Sequence, residues 1–139
     1  MKTRLAETLH LLPWLARWLL LAGGIAVLAG TASAWFMFAL NWATATRTAH
    51  PWLLWLLPLG GFVGGWLYWQ FGKSVEGGNN LLIDEIHAPN RVVPLRMVPL
   101  IFGTTVLSHL VGASVGREGT AVQMGGALAD QFTRLFRLG

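Results

Sequence analysis

The chain has no cysteine and only six acidic residues among 139. Without thiols it has no disulfide framework and no thiolate metal site, and its cysteine usage carries no compartment signal. Charged residues of both signs make up 12% of the chain and hydrophobic residues 54%, with a mean hydropathy of +0.53. A soluble domain carries about 25% charge, so this balance excludes an ordinary soluble domain and reads as an integral membrane protein. Tyr68 is the sole tyrosine, and no internal repeat is visible. The net charge of +4 comes from basic residues dispersed between apolar runs. That dispersal argues against a nucleic-acid surface and for membrane topology.

What remains is a series of apolar segments. Met1 to about Leu12 is weakly amphipathic and reads either as a surface segment or as a frayed terminus. Gly30-Thr31-Ala32-Ser33-Ala34 resembles a cleavage site, but the apolar stretch continues to Thr46, so a retained span is expected. Trp18–Thr46 has no formal charge and is long enough to cross a bilayer core, which needs about 20 residues. Trp14, Trp18, Trp35 and Trp42 suit interfacial anchoring. Gly23, Gly24, Gly30 and Ser33 offer small faces. After a turn at 47–51, Trp52–Gly72 is a second span with Gly60-Gly61 and Gly64-Gly65. These read as ordinary small-residue helix packing, with tight packing around an anion path as the functional alternative. Lys73–Asn80 is a Gly-rich turn. Leu81–His87 is too short to cross and reads as a half-helix capped by Asn79-Asn80 and ended by Ala88-Pro89-Asn90-Arg91. Met97–Gly116 is expected to form a third long helix, with Pro94 or Pro99 near its start. Glu118 to about Phe136 forms a fourth, which turns polar at Asp130, Arg134 and Arg137.

With the N-terminus inside, Lys2, Arg4, Arg17, Lys73, Arg91, Arg96, Arg134 and Arg137 fall on or near the cytoplasmic side and Arg47 outside. This pattern follows the positive-inside rule. The expectation is a multi-pass protein of the cell (inner) membrane with a cytoplasmic N-terminus. It has three to four long helices and one short half-helix over residues 1–139, and no soluble domain.

Gly116-Arg117-Glu118-Gly119-Thr120 carries the most chemistry. It puts a carboxylate between two glycines, after a long apolar run and at the start of a helix. An ionised side chain is expensive in hydrocarbon, so an acid at membrane depth is a functional candidate. A helix N-terminus offers unpaired amides and a favourable dipole to an anion. Glu118 can occupy such a site with its own carboxylate, and protonation can release it. The bland alternative is a Glu that only favours the helix dipole. Arg117 either adds positive potential or points to interfacial water. Thr120 adds a hydroxyl donor or simply caps and packs.

These residues resemble the Gly-Lys/Arg-Glu-Gly-Pro signature of the CLC chloride channels and anion/proton antiporters, with Thr120 in place of the usual Pro. Gly78-Asn79-Asn80-Leu81-Leu82 is similar to that family's Gly-Ser-Gly-Ile-Pro motif, with Asn79 for Ser and Asn80 for Gly. Asn79 together with Thr120 resembles the fluoride-exporting branch. The resemblance covers roughly Trp18 to Gly139. It implies an all-α membrane fold of broken half-helices arranged as inverted repeats, of which this chain is a partial, N-terminal piece. The membrane-embedded second half and the tyrosine-bearing final helix of the family have no counterpart, and Tyr68 does not match that tyrosine.

The resemblance further implies transport of a small anion, fluoride by preference, coupled to protons. Glu118 is the gating and proton residue. Gly78, Asn79, Asn80, Gly116, Arg117, Gly119 and Thr120 form the anion site. No metal, cofactor or enzymatic activity is implied. The implied partners are fluoride or chloride, protons, the bilayer and a second copy as homodimer. A chloride channel or chloride/proton exchanger, and a non-transporting membrane stub, are the alternatives.

Three further patterns have bland readings. Asp84-Glu85 is an internal proton relay or, more simply, a solvated capping face. His87 and His109 do not form a metal pair by spacing. Gly112-Ala113-Ser114-Val115-Gly116 fits a nucleophile elbow only if a strand precedes Ser114.

Overall fold

The computed structural model describes residues 2–87 and 93–136, with side chains for 12–84, 86–87 and 93–136. Arg137 and the segment Ala88–Arg91, expected to end the short helix, lie outside the described residues, as does the side chain of Glu85. Helix α1 runs Lys2–Ala49, and a 3-10 turn follows over Pro51–Leu56. Helix α2 is Leu57–Phe71, α3 is Asn79–His87, α4 is Met97–Leu110 and α5 is Glu118–Leu135. The described residues contain no strand, so the fold is all-α as expected.

Two expectations are corrected. Residues 2–12 do not form a separate segment, because α1 passes through Pro13 unbroken. Neighbouring groups in a spanning helix tolerate the single lost backbone bond. The third long helix is shorter than expected: α4 ends at Leu110 rather than Gly116. Gly112 has φ +90°, a left-handed conformation natural to glycine. Its N–H bonds His109 C=O at 3.2 Å, which closes the helix. At 14 residues α4 is about 21 Å long, short of the ~30 Å hydrocarbon core.

Two segments are long and apolar enough to cross a membrane, Leu12–Ala49 and Pro51–Phe71. In each, only 6% of the most apolar window is buried, which is the reverse of a core helix in a soluble protein. Exposed large side chains such as Leu20, Phe38, Trp55 and Phe62 cover their outer faces. Apolar surface on this scale requires lipid or further protein as its surroundings.

One stripe of α1 is covered. Phe36, Leu40 and Ala43 are buried at helical spacing and face α4 and α5. Phe36 meets Phe102 with ring centroids 5.9 Å apart, and Met124 completes that cluster. Gly24 lies against Phe132 and Gly125 against Ala29, so α5 runs antiparallel to α1. A methyl on Gly60 would come 2.8 Å from Val111, so here the backbone of α2 approaches the end of α4 closely. Gly23, Gly30, Gly61, Gly64 and Gly65 face open space, so among the described residues Gly24 and Gly60 are the glycines of α1 and α2 that serve close contacts.

Candidate functional site

Two short loops set the site. After α2, the turn at Val75–Gly78 closes with Gly78 N–H on Val75 C=O at 3.0 Å. Gly78 has φ +53°, which reverses the chain directly into α3. Asn79 is the first helical residue rather than a cap outside the helix, and Asn80 N–H is already taken by Gly77 C=O at 2.9 Å. After α4, residues 113–116 are irregular and Arg117 is the N-cap of α5. The first backbone bond of α5 is Ala121 N–H to Arg117 C=O at 3.2 Å. The amides of Glu118, Gly119 and Thr120 precede it, the positions at which a helix start has donors to offer.

The fold brings these two helix starts together. A methyl on Gly119 would lie 3.5 Å from Asn79 Nδ2. A methyl on Gly78 would lie 3.2 Å from Gln123 Nε2. Further along α5, Gly126 admits Leu82: a methyl there would meet Leu82 Cδ1 at 2.7 Å. The two helices thus run side by side from a shared origin, and the glycines are what permit the approach.

The sequence-predicted residues divide within this arrangement. Gly78, Asn79 and Gly119 meet at the junction. Asn80 turns to a separate recess of about 410 Å³, shared with Lys73, Ser74 and Asp84. A methyl on Gly116 would meet nothing within 4 Å, and Arg117 is exposed. Glu118 is exposed in the isolated chain. It lies six residues, about 9 Å, before Met124, which packs on Phe36 and Leu40 of α1. The helices are antiparallel, so Glu118 sits towards the Arg47 end of the bundle, the end where Gly112 packs on Leu54 and Arg47. Thr120 is buried, and its Oγ1 shares a 3.2 Å hydrogen bond with Thr105 Oγ1 of α4. The hydroxyl is thus engaged across the α4–α5 interface.

The opposite end of α5 is tied down by side chains. Asp130 Oδ2 accepts from Val93 N–H at 3.0 Å, and Gln131 Nε2 donates to Val93 C=O at 2.8 Å. Arg134 pairs with Asp130 at 3.0 Å. This clamp fixes the segment leading into α4 against α5. Arg96 and Arg134 therefore share one end of the bundle, with Arg47 and Arg117 at the other.

Sequence reasoning missed Gln123 and Thr105. Gln123 lies one turn beyond Gly119, a spacing that signals a shared face. Thr105 carried no signal, because its partner lies fifteen residues away on the next helix.

Other patterns resolve locally. His87 and His109 bond the carbonyls of Ile83 and Thr105 through Nδ1 at 2.8 and 2.9 Å. Asp84 is exposed. Ser114 follows a helix rather than a strand, so the elbow context is missing.

Comparison with known proteins identifies the family. A family model described as voltage gated chloride channel matches residues 60–139. The chain is 62% identical over 137 residues to a protein of Pseudomonas syringae pv. tomato named "Chloride/fluoride channel protein", covering 99% of this chain and 30% of that protein. It is 36% identical over 134 residues to an "H(+)/Cl(-) exchange transporter ClcA" of Cronobacter sakazakii, covering 85% of this chain and 28% of that protein. A Vibrio vulnificus protein of the same name is 32% identical over 136 residues, with 86% of this chain and 28% of the relative covered. The chain thus spans about 30% of the length of the curated relatives it matches. No solved structure matches it.

Proposed function

Since the chain belongs to the voltage gated chloride channel family, we propose that it forms the N-terminal part of a membrane protein that moves a small anion, fluoride by preference, in exchange for protons. One observation carries this reading. Asn79 and Gly119, forty residues apart in sequence, meet where α3 and α5 both begin. A dehydrated anion needs donors, and neutral donors release it again where a buried cation would hold it. The Asn79 carboxamide and the leading amides of α5 supply such donors.

Glu118 is the first residue of α5, which begins with the same amides. Ionised, its carboxylate competes with the anion for them. Protonated, it loses that attraction and swings away, so each cycle couples a proton to an anion. Gly78 and Gly119 keep the approach open, and Arg117 adds positive potential at the mouth. Asn80, with its backbone N–H engaged and its side chain in the neighbouring recess, shapes the start of α3. With the N-terminus read as inside, the Arg96 and Arg134 end faces the cytoplasm and Arg47 the outside, a distribution that follows the positive-inside rule. The membrane is the cell (inner) membrane, and the assembly is a homodimer.

Chloride/proton exchange is the second reading, favoured by the names of the relatives at 32% and 36% identity. A liposome efflux assay separates the two. It uses a chimera in which this chain replaces the matched 137 residues of the Pseudomonas syringae relative. Fluoride loss accompanied by proton uptake, with chloride inert, is expected. Equal chloride turnover removes the fluoride assignment. Asn79→Ser in the same chimera is expected to narrow the fluoride/chloride ratio, and an unchanged ratio shows that Asn79 does not set selectivity.

A further inference from the structure

Helix α4 carries four polar side chains in an otherwise apolar segment, Thr104, Thr105, Ser108 and His109. Three of them turn back on their own helix. Thr104 Oγ1 donates to Leu100 C=O at 2.8 Å, Ser108 Oγ donates to Thr104 C=O at 2.8 Å, and His109 Nδ1 bonds Thr105 C=O at 2.9 Å. Such bonds satisfy a polar group locally and ask nothing of a neighbouring helix. Thr105 differs. Its hydroxyl bonds Thr120 Oγ1 of α5 at 3.2 Å, and both residues are buried.

Thr120 is the third residue of α5 and lies in its first turn, since the first backbone bond of that helix is Ala121 N–H to Arg117 C=O. Residues 113–116 before it are irregular, so no preceding helix holds the orientation of this turn. Successive helical residues point about 100° apart, so a Thr120 turned towards α4 sends Glu118 about 200° round, to the far side of α5. The burial pattern matches: Thr120 is buried and Glu118 exposed. The hydroxyl bond therefore fixes the direction in which the acid leaves the helix.

We propose that Thr105 is a positioning residue for Glu118. This rests on the reading of Glu118 as the gating acid. Thr105 touches neither anion nor proton. It acts through Thr120, holding the first turn of α5 so that the carboxylate leaves from a fixed place and comes back to it. Without that bond the turn is held by packing alone, the acid loses its fixed relation to the leading amides, and anions pass without exchange for a proton. A threonine pair can also serve only as glue between helices in a bilayer. The two roles separate, because removing both hydroxyls strands no polar group and spares adhesion, whereas orientation needs the bond itself.

The test records fluoride release and proton uptake together in liposomes bearing the chimera described above. It reads their ratio, which is independent of the amount of active protein. Thr105→Val is expected to lower the protons taken up per fluoride at least threefold. Thr105→Ser keeps the hydroxyl and should stay within twofold of the parent. So should Thr104→Val, which alters the neighbouring buried threonine whose hydroxyl stays on its own helix. The variant carrying Thr105→Val and Thr120→Val together leaves no hydroxyl stranded and is read in the same way if the single variant does not fold. It is expected to be as uncoupled as Thr105→Val. A smaller fall in Thr105→Val, a recovered ratio in the double variant, or an equal fall in Thr105→Ser or Thr104→Val overturns the proposal and leaves the pair as packing. A parent chimera that releases fluoride without proton uptake overturns the reading of Glu118, and the inference with it. A coupled parent whose Thr105 variants stay coupled overturns the inference alone.

Discussion

Helix α1 and the α3–α5 junction use opposite solutions to life in a bilayer. Residues 12–49 of α1 form one continuous apolar run, and only a narrow stripe through Phe36, Leu40 and Ala43 is covered. Its outer face is left to lipid or further protein, and its glycines at 23 and 30 meet nothing among the described residues. At the junction the helices are short, their starts lie beside one another, and each close approach depends on a glycine. Backbone polarity is tolerated at depth only where helix ends can be satisfied or put to use. The long helix therefore supplies the scaffold, and the short ones bring two helix starts side by side.

Substitutions should matter most where the broken helices touch. The largest structural effect is expected at Gly126. Its methyl position lies 2.7 and 2.8 Å from the two terminal carbons of Leu82, so Gly126→Val wedges α3 from α5. Overpacking of this kind costs typically about 1–3 kcal/mol. Reversible unfolding in mixed micelles should show that loss, and an unchanged midpoint would mean that α3 is not docked there.

Next comes the buried hydroxyl pair. Thr105→Val strands the Thr120 hydroxyl and should cost about 1–2 kcal/mol, whereas Thr105→Val combined with Thr120→Val should recover much of it, because both polar groups are gone. Strict additivity in the same unfolding assay would show that the two threonines do not interact. The smallest effect is expected on α1. Gly30→Ala meets open space and should change stability by no more than about 0.5–1 kcal/mol, in the stabilising direction. A large loss would reveal a partner surface covering that face.

The same contrast explains what is legible in the sequence. Long charge-free runs announce spanning helices by length alone, and α1 and the Pro51–Phe71 segment fall where those runs do. Glu118 is legible as a helix start because glycines and a charge interrupt the apolar pattern on either side, and α5 does begin there. The end of α4 is not legible, since Val111 to Gly116 stays apolar and small while its geometry depends on a left-handed Gly112. The weakly amphipathic start misleads in the other direction, since α1 runs on unbroken through Leu12 and Pro13. The sides of α3 are also hidden. Asn79 and Asn80 are adjacent in sequence, yet one faces α5 and the other a recess beside Lys73. Adjacent helical residues point about 100° apart, so a two-residue motif cannot serve a single site with both side chains.

The central claim is that the Glu118 carboxylate and the transported anion contend for one set of amides. The most direct measurement records fluoride release and proton uptake simultaneously in liposomes bearing the chimera, with and without Glu118→Gln. The account predicts that the variant still releases fluoride while its proton uptake falls at least tenfold. Proton uptake that persists in step with fluoride release in the variant would contradict it.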